Sequence, residues 1–246
     1  CSSDLFTNLM PDHQNYYGSM DAYFADKAYI YRNQHAGDTL VCGLGVRERI
    51  LADNPPVAPL TPDTIPSDWK LQVIGEHNRE NASLAAQALR ALGLTDEEIR
   101  SGLETFAGVE GRLQWMGEQN GVQIYNDNNA TTPEATIAAL KALDTGNKRI
   151  ILIMGGADKG LDASALLYQI AQSCKRVICL SGTGTTRVVP FMSDYSIFDS
   201  LADAVHEATV SAVPGDIILF SPAFASFGMF TNEYDRNDQF IKLISH

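Results

Sequence analysis

Apolar residues fall in two rhythms along this chain, and the rhythm changes near residue 110. Beyond that point, short runs of β-branched and aliphatic residues recur. Each is followed by a polar or glycine-rich tip and then by a stretch with helical spacing. The runs predict strands at 121–126, 149–154, 176–180, 194–198 and 216–221. The intervening stretches predict helices at 133–143, 162–172, 200–211 and 234–244, with a short turn near 184–190. Strand–helix alternation of this kind implies a parallel, doubly wound, Rossmann-like α/β sheet. Ile150-Ile151-Leu152-Ile153 and Ile217-Ile218-Leu219-Phe220 are apolar throughout, as strands covered on both faces must be.

The first part of the chain is less regular. A strand is predicted at 4–9, then a polar loop, then an amphipathic helix from Ser19 or Asp21 to about Arg32. A second strand lies at 38–42 and a short helix near 46–52. The segment Asp53 to Asp68 holds five prolines and reads as an irregular connector with a possible edge strand. Two helices follow. The first spans Glu80 to Leu92 and is stopped by Gly93. The second opens at Thr95, with Glu98 three residues on as a capping box, and runs to about Phe106. Ala107-Gly108-Val109-Glu110-Gly111-Arg112 is glycine-rich and reads as a hinge. The chain therefore divides into residues 1–107 and 108–246.

Composition narrows the function. The formal net charge of −12 argues against a broad nucleic-acid surface but leaves room for a small anion held by local cations. With seven lysines in 246 residues, each one is worth locating. The four cysteines form no CxxC pair, which fits a reducing, cytoplasmic setting. No apolar run is long enough to insert in a membrane, and no signal-peptide pattern opens the chain.

Polar clusters fall at predicted strand ends, where ligands bind in open α/β sheets. After the strand at 121–126 come Asn126-Asp127-Asn128-Asn129-Ala130-Thr131-Thr132-Pro133-Glu134. The amides and the acid make a turn, and Thr131 or Thr132 caps the next helix. Gly155-Gly156-Ala157-Asp158-Lys159-Gly160 follows the next strand. There Lys159 can hold a carboxylate or phosphate, where the plainer reading is a solvated turn. Ser181-Gly182-Thr183-Gly184 lacks both GxGxxG spacing and a P-loop lysine, so a simple turn explains it. Ser221-Pro222-Ala223 with Ser226 offers hydroxyls for substrate contact, without the GxSxG elbow of a serine hydrolase. His77, Asn78 and Asn81 sit at a helix start, and the two amides share a face suited to a purine edge. Arg112 can clamp phosphate or lie free on the surface. Asp12 and His13 can bind a divalent ion, with Lys27 on the following helix.

Taken in order, Thr7-Asn8 with Asp12-His13, Lys27, Gly75-Glu76-His77-Asn78 with Asn81, Gly111-Arg112, Asn126-Asp127 with Ala130-Thr131, Gly155-Gly156 with Asp158-Lys159, and Ser221-Pro222-Ala223 with Ser226 resemble the Mur ligases. The closest resemblance is to the type that adds D-glutamate to UDP-N-acetylmuramoyl-L-alanine. It implies an ATP-dependent amide ligase of cell-wall precursor synthesis that works as a monomer, with residues 1–107 the rear part of a P-loop-type central ATPase domain and 108–246 the C-terminal Rossmann-like domain. By the same resemblance, His13 helps bind Mg2+ and Lys27 is carbamylated to support a second ion. Asn78 and Asn81 contact adenine, Arg112 the phosphates and Asp127 the ribose, while Thr131, Lys159 and Ser226 hold the incoming amino acid. Three features depart from the family. No GxxxxGK[ST] phosphate loop occurs, so the chain is expected to be a fragment that does not turn over alone. Asn128-Asn129 stands where Ser-Lys is usual, and Glu233 where an aromatic residue is expected. Two alternatives stay open: another ATP-dependent amino-acid ligase, such as a folylpolyglutamate synthetase, and a non-catalytic nucleotide- or amino-acid-binding module.

Overall fold

The computed structural model describes residues 3–12 and 14–245. Its packing divides the chain into two units, one ending at Ala107 and one beginning at Gly108.

In the first unit, β1 (Ser3–Phe6) pairs in parallel with β2 (Thr39–Cys42). Between them come α1 (Gln14–Tyr17), α2 (Met20–Lys27) and α3 (Tyr29–Arg32). The single helix predicted from Ser19 to Arg32 is thus two, broken at Ala28, and Ser19 caps the first by accepting from the Ala22 N–H. Phe6, Phe24, Tyr31, Leu40, Val46 and Ile50 fill the core against α4 (Leu44–Ala52). In the proline-rich connector the possible edge strand reduces to one bridge, Leu60 against Val41, because prolines cannot donate to a ladder. Next come α5 (Glu76–Ala91) and α6 (Asp96–Thr105), which pack on Ile65 and Trp69. The Thr95–Glu98 capping box forms as read. The first of these helices starts four residues earlier than predicted, because Gly75, at φ 95°, turns the chain into it directly.

The second unit is a six-stranded sheet with helices α7 (Pro133–Leu143), α8 (Ser164–Ser173), α9 (Thr183–Val188, followed by a 3-10 turn), α10 (Leu201–Ser211) and α11 (Glu233–Ile244). Its strands are β3 (Gln114–Gln119), β4 (Val122–Asn126), β5 (Ile150–Gly155), β6 (Cys174–Leu180), β7 (Tyr195–Phe198) and β8 (Ile217–Phe220), in the spatial order β3-β4-β8-β5-β6-β7. All neighbours are parallel except β3 and β4. The two wholly apolar runs, β5 and β8, are buried side by side at the centre, as their composition requires.

The antiparallel edge strand β3 was not predicted, because its residues, QWMGEQ, carry too few apolar positions. The signal lay in the turn. Asn120 and Gly121 take φ 52° and 79°, the left-handed pair of a two-residue hairpin.

Helix α11 is held to the sheet by Phe240, whose ring stacks on Phe220 of β8 at a centroid distance of 4.5 Å. Asn232 caps it by accepting from the Asp235 N–H at 2.9 Å. Replacing Asn232 with Ala is expected to cost about 1 kcal/mol, read as faster hydrogen exchange in the first turns of α11. Among the described residues no helix is long and apolar enough to cross a membrane.

Candidate active site at the strand ends of the second unit

The carboxyl ends of β4, β8 and β5 are adjacent, and the loops that leave them are stitched to one another. The Ala223 N–H donates to Ala130 O at 2.8 Å, joining the loop after β8 to the loop after β4. Ala157 and Ala225 exchange backbone bonds at 2.9 and 3.1 Å, joining the loops after β5 and β8. Gly156 makes this possible. It sits at φ 141°, and a Cβ there would lie 2.3 Å from Ala225 O. The strand order creates the junction: β8 enters between β4 and β5, a switch point of the kind where open sheets bind ligands.

Thr131, Lys159 and Ser226 stand on these three loops. Lys159 Nζ donates to Thr131 Oγ1 at 3.2 Å. Ser226 is 4 % exposed and lies just past the Ala157–Ala225 bridge. Thr132, and not Thr131, caps α7, so the Thr131 hydroxyl is left to face Lys159. Asp158, beside the lysine, is paired with Arg187 at 2.8 Å. Beyond them, Ser181, Gly182, Thr183, Phe227 and Met229 help line a cavity of about 340 Å³.

Asp127 lies beneath, 8 % exposed. Its Oδ1 accepts from the Leu113 N–H at 2.9 Å and its Oδ2 from the Ser221 hydroxyl at 2.7 Å. Burial pushes its carboxyl up to about 7, against the opposing pull of those two bonds and of the Arg112 charge. Asp127 therefore ties the 111–113 segment to β8. Arg112 is exposed on that segment. The amides of the same loop also lock it. Asn126 Nδ2 donates to Asn237 Oδ1 at 2.8 Å, Asn128 Nδ2 to Glu233 O at 3.0 Å, and Asn129 Nδ2 to Glu110 O at 3.1 Å. The acid and amides that drew notice in the sequence are thus largely a scaffold, with Thr131 at the tip.

The family described as Mur ligase, glutamate ligase domain, matches residues 111–224, which is the segment just built. The UDP-N-acetylmuramoylalanine--D-glutamate ligase of Roseiflexus sp. (strain RS-1) is 33% identical over 287 aligned positions, covering 97% of this chain. Residues 111–224 thus carry the glutamate ligase domain of the Mur ligases. The chain spans 59% of the length of that relative. Two solved structures share the fold: Mycobacterium tuberculosis folylpolyglutamate synthase complexed with ADP, with a TM-score of 0.75 and 19% identity over 98% of this chain and 63% of that one, and E.coli FolC in complex with DHPP and ADP, with a TM-score of 0.73 and 19% identity over 99% and 61%.

The remaining positions drawn from the Mur ligase resemblance lie in the first unit. Lys27 is exposed at the end of α2, its Nζ 5.4 Å from the centre of the Tyr23 ring. With Tyr16, Tyr17, Asp26 and Ile30, these two residues line a cavity of about 450 Å³. His13 falls outside the described residues. Asn78 is the third residue of α5 and Asn81 lies one turn further on, at the helix start as read, and Asn78 Nδ2 donates to Ile74 O at 2.8 Å. Beside them, burial holds the His77 imidazole below its usual range. Among the described residues no three His, Cys, Asp or Glu side chains gather as a ready-made metal cluster.

Sequence reasoning missed Arg236. It is 0 % exposed on α11, where its guanidinium donates to Asn128 Oδ1, Asn128 O and Phe224 O. A signal existed: Arg236 is four residues before Phe240 and eight before Ile244, on the apolar stripe of its helix.

Proposed function

We propose that the protein containing this chain is an ATP-dependent amide ligase that adds D-glutamate to UDP-N-acetylmuramoyl-L-alanine. The observation that carries this reading is the meeting of Thr131 and Lys159 on loops stitched to the one bearing Ser226, in a chain whose curated relatives bear that ligase name.

In this reading the second unit binds the incoming amino acid. Lys159 pairs with one of its carboxylates as a point charge, with the Thr131 hydroxyl bonded alongside. Ser226 donates from its buried position on the loop after β8. By the Mur ligase resemblance, Asn78 and Asn81 are assigned to adenine, and Arg112 is assigned to phosphate. The resemblance also assigns Asp127 to the ribose; in this chain its two oxygens hold Leu113 and Ser221, so its support of that contact is through the loop. A carbamylated Lys27 adds a carboxylate to the phosphate site. Magnesium is implied by the family resemblance.

The chemistry balances in two steps. A carboxylate oxygen of UDP-N-acetylmuramoyl-L-alanine attacks the γ-phosphorus of ATP and ADP leaves, giving an acyl phosphate. The D-glutamate nitrogen then attacks the acyl carbon. The tetrahedral adduct collapses, expelling phosphate and releasing the extra proton to solvent. The contribution of Lys159 is orientation of that amine, which makes the second step effectively intramolecular.

The test uses the full-length natural protein and phosphate release with ATP, UDP-N-acetylmuramoyl-L-alanine and a panel of amino acids. D-Glutamate is expected to be the preferred amine. Lys159→Met is expected to raise the KM for D-glutamate by roughly a hundredfold while leaving that for ATP within about twofold, since a charge-assisted pair at a desolvated site contributes on the order of 3 kcal/mol. Preference for another amino acid, or an unchanged KM in the variant, would refute the assignment.

A further inference from the structure

Arg236 is a fully buried cation held by uncharged acceptors. Its Nε meets Asn128 Oδ1 at 2.8 Å, one Nη meets Asn128 O at 2.8 Å, and the other meets Phe224 O at 3.2 Å. Among the described residues no carboxylate lies within ion-pair distance, and the one acid whose charge acts on it, Glu233, is exposed at the start of the same helix. Burial pushes the guanidinium down to about 10, which leaves it charged at neutral pH.

Such a charge is costly for folding alone. A methionine on the apolar stripe beside Phe240 would fill the space without the desolvation penalty. Its surroundings say where the charge acts. Asn128 lies three residues before Thr131, and Phe224 two before Ser226. The same guanidinium therefore grips the loop after β4 and the loop after β8, close under their tips. Asn129 in this chain supplies no charge to those tips.

We propose that Arg236 is the positioning residue of the amino-acid site: it clamps the two loops in register and lends its unneutralised charge to a carboxylate bound between Thr131, Lys159 and Ser226. The proposal rests on the amino-acid-binding reading above. An anion there completes the ion pair that the fold leaves open, so the field draws on binding energy that a neutral residue cannot supply.

Three variants of the full-length protein separate clamp from charge. Arg236→Met removes both. Arg236→Lys keeps the charge and loses the planar fork. Asn128→Asp keeps the guanidinium bonded but sets a carboxylate where Asn128 Oδ1 now accepts from Nε, which neutralises the charge in place. Arg236→Met and Asn128→Asp are expected to raise the KM for D-glutamate about tenfold and to leave the KM for ATP within about twofold, with Arg236→Lys between them and wild type. If only kcat falls, or both KM values rise together, Arg236 is structural and the proposal is overturned. A wild-type KM in Asn128→Asp also overturns it, and that variant carries the test if Arg236→Met does not fold. If the wild-type protein itself does not accept D-glutamate, the functional reading fails first and takes this proposal with it.

Discussion

Asp127→Asn is expected to make the second unit more stable at pH 8 and no more stable at pH 4. A buried carboxyl raised to about 7 is protonated in the folded chain at pH values where the unfolded chain has already lost its proton. Between about pH 4 and 7 the folded state therefore binds more protons, and stability falls as pH rises through that window. Three pH units at 1.36 kcal/mol each amount to a penalty on the order of 4 kcal/mol, fully present above pH 7. The amide removes it. Its oxygen still accepts from the Leu113 N–H, and its NH2 can donate to Ser221 Oγ, whose single proton then turns from this position to Thr136 Oγ1, 2.8 Å away. Hydrogen exchange of the β4 and β8 amides at several pH values measures the difference. A constant gap between variant and wild type from pH 4 to 8 would show that Asp127 is ionised throughout. On the functional reading proposed above, the same substitution in the full-length protein is also expected to lower ligase activity, the usual trade between stability and a site that holds a destabilised charge.

Gly156→Ala should be nearly as disruptive in the opposite direction. The new methyl would sit 2.3 Å from Ala225 O and would hold a residue with a side chain at φ 141°. Overpacking of about 1–3 kcal/mol and backbone strain of similar size sum to roughly 2–6 kcal/mol. The strain falls on the Ala157–Ala225 bridge, so the loops bearing Lys159 and Ser226 should separate. The signature is joint: a lower melting temperature and, on the functional reading proposed above and in the full-length protein, a higher KM for D-glutamate. Lost stability with an unchanged KM would mean that the bridge is not what sets the site.

Much of the second unit was legible in the sequence because its strands announce themselves. Only burial on both faces tolerates a run such as Ile150-Ile151-Leu152-Ile153, and only a parallel sheet between helices provides it. The helix starting at Pro133 was equally plain, with a hydroxyl cap ahead of it. Edge strand β3 was not, because one face of it meets water and its composition is mixed. The site divides the same way. Lys159 and Ser226 follow strong strands and could be placed by counting. The roles within Asn126–Asn129 could not be separated by reading, since amides that bind a ligand and amides that lock a loop look alike until their partners are known. Arg236 was hidden by its helix: a lone cation on an apolar stripe reads as a surface residue out of phase, and its partners Asn128 and Phe224 are distant in sequence.

The position of β8 has a consequence for how the chain is made. The central strand of the sheet is the last one synthesised, yet it must enter between β4 and β5, whose residues emerge from the ribosome well before it. Without it, the pair β3-β4 and the trio β5-β6-β7 have no strand to join them. Such long-range closure slows folding and leaves the nascent chain open to mispairing. Newly made molecules are consequently most vulnerable to aggregation in the interval just before residues 217–220 appear.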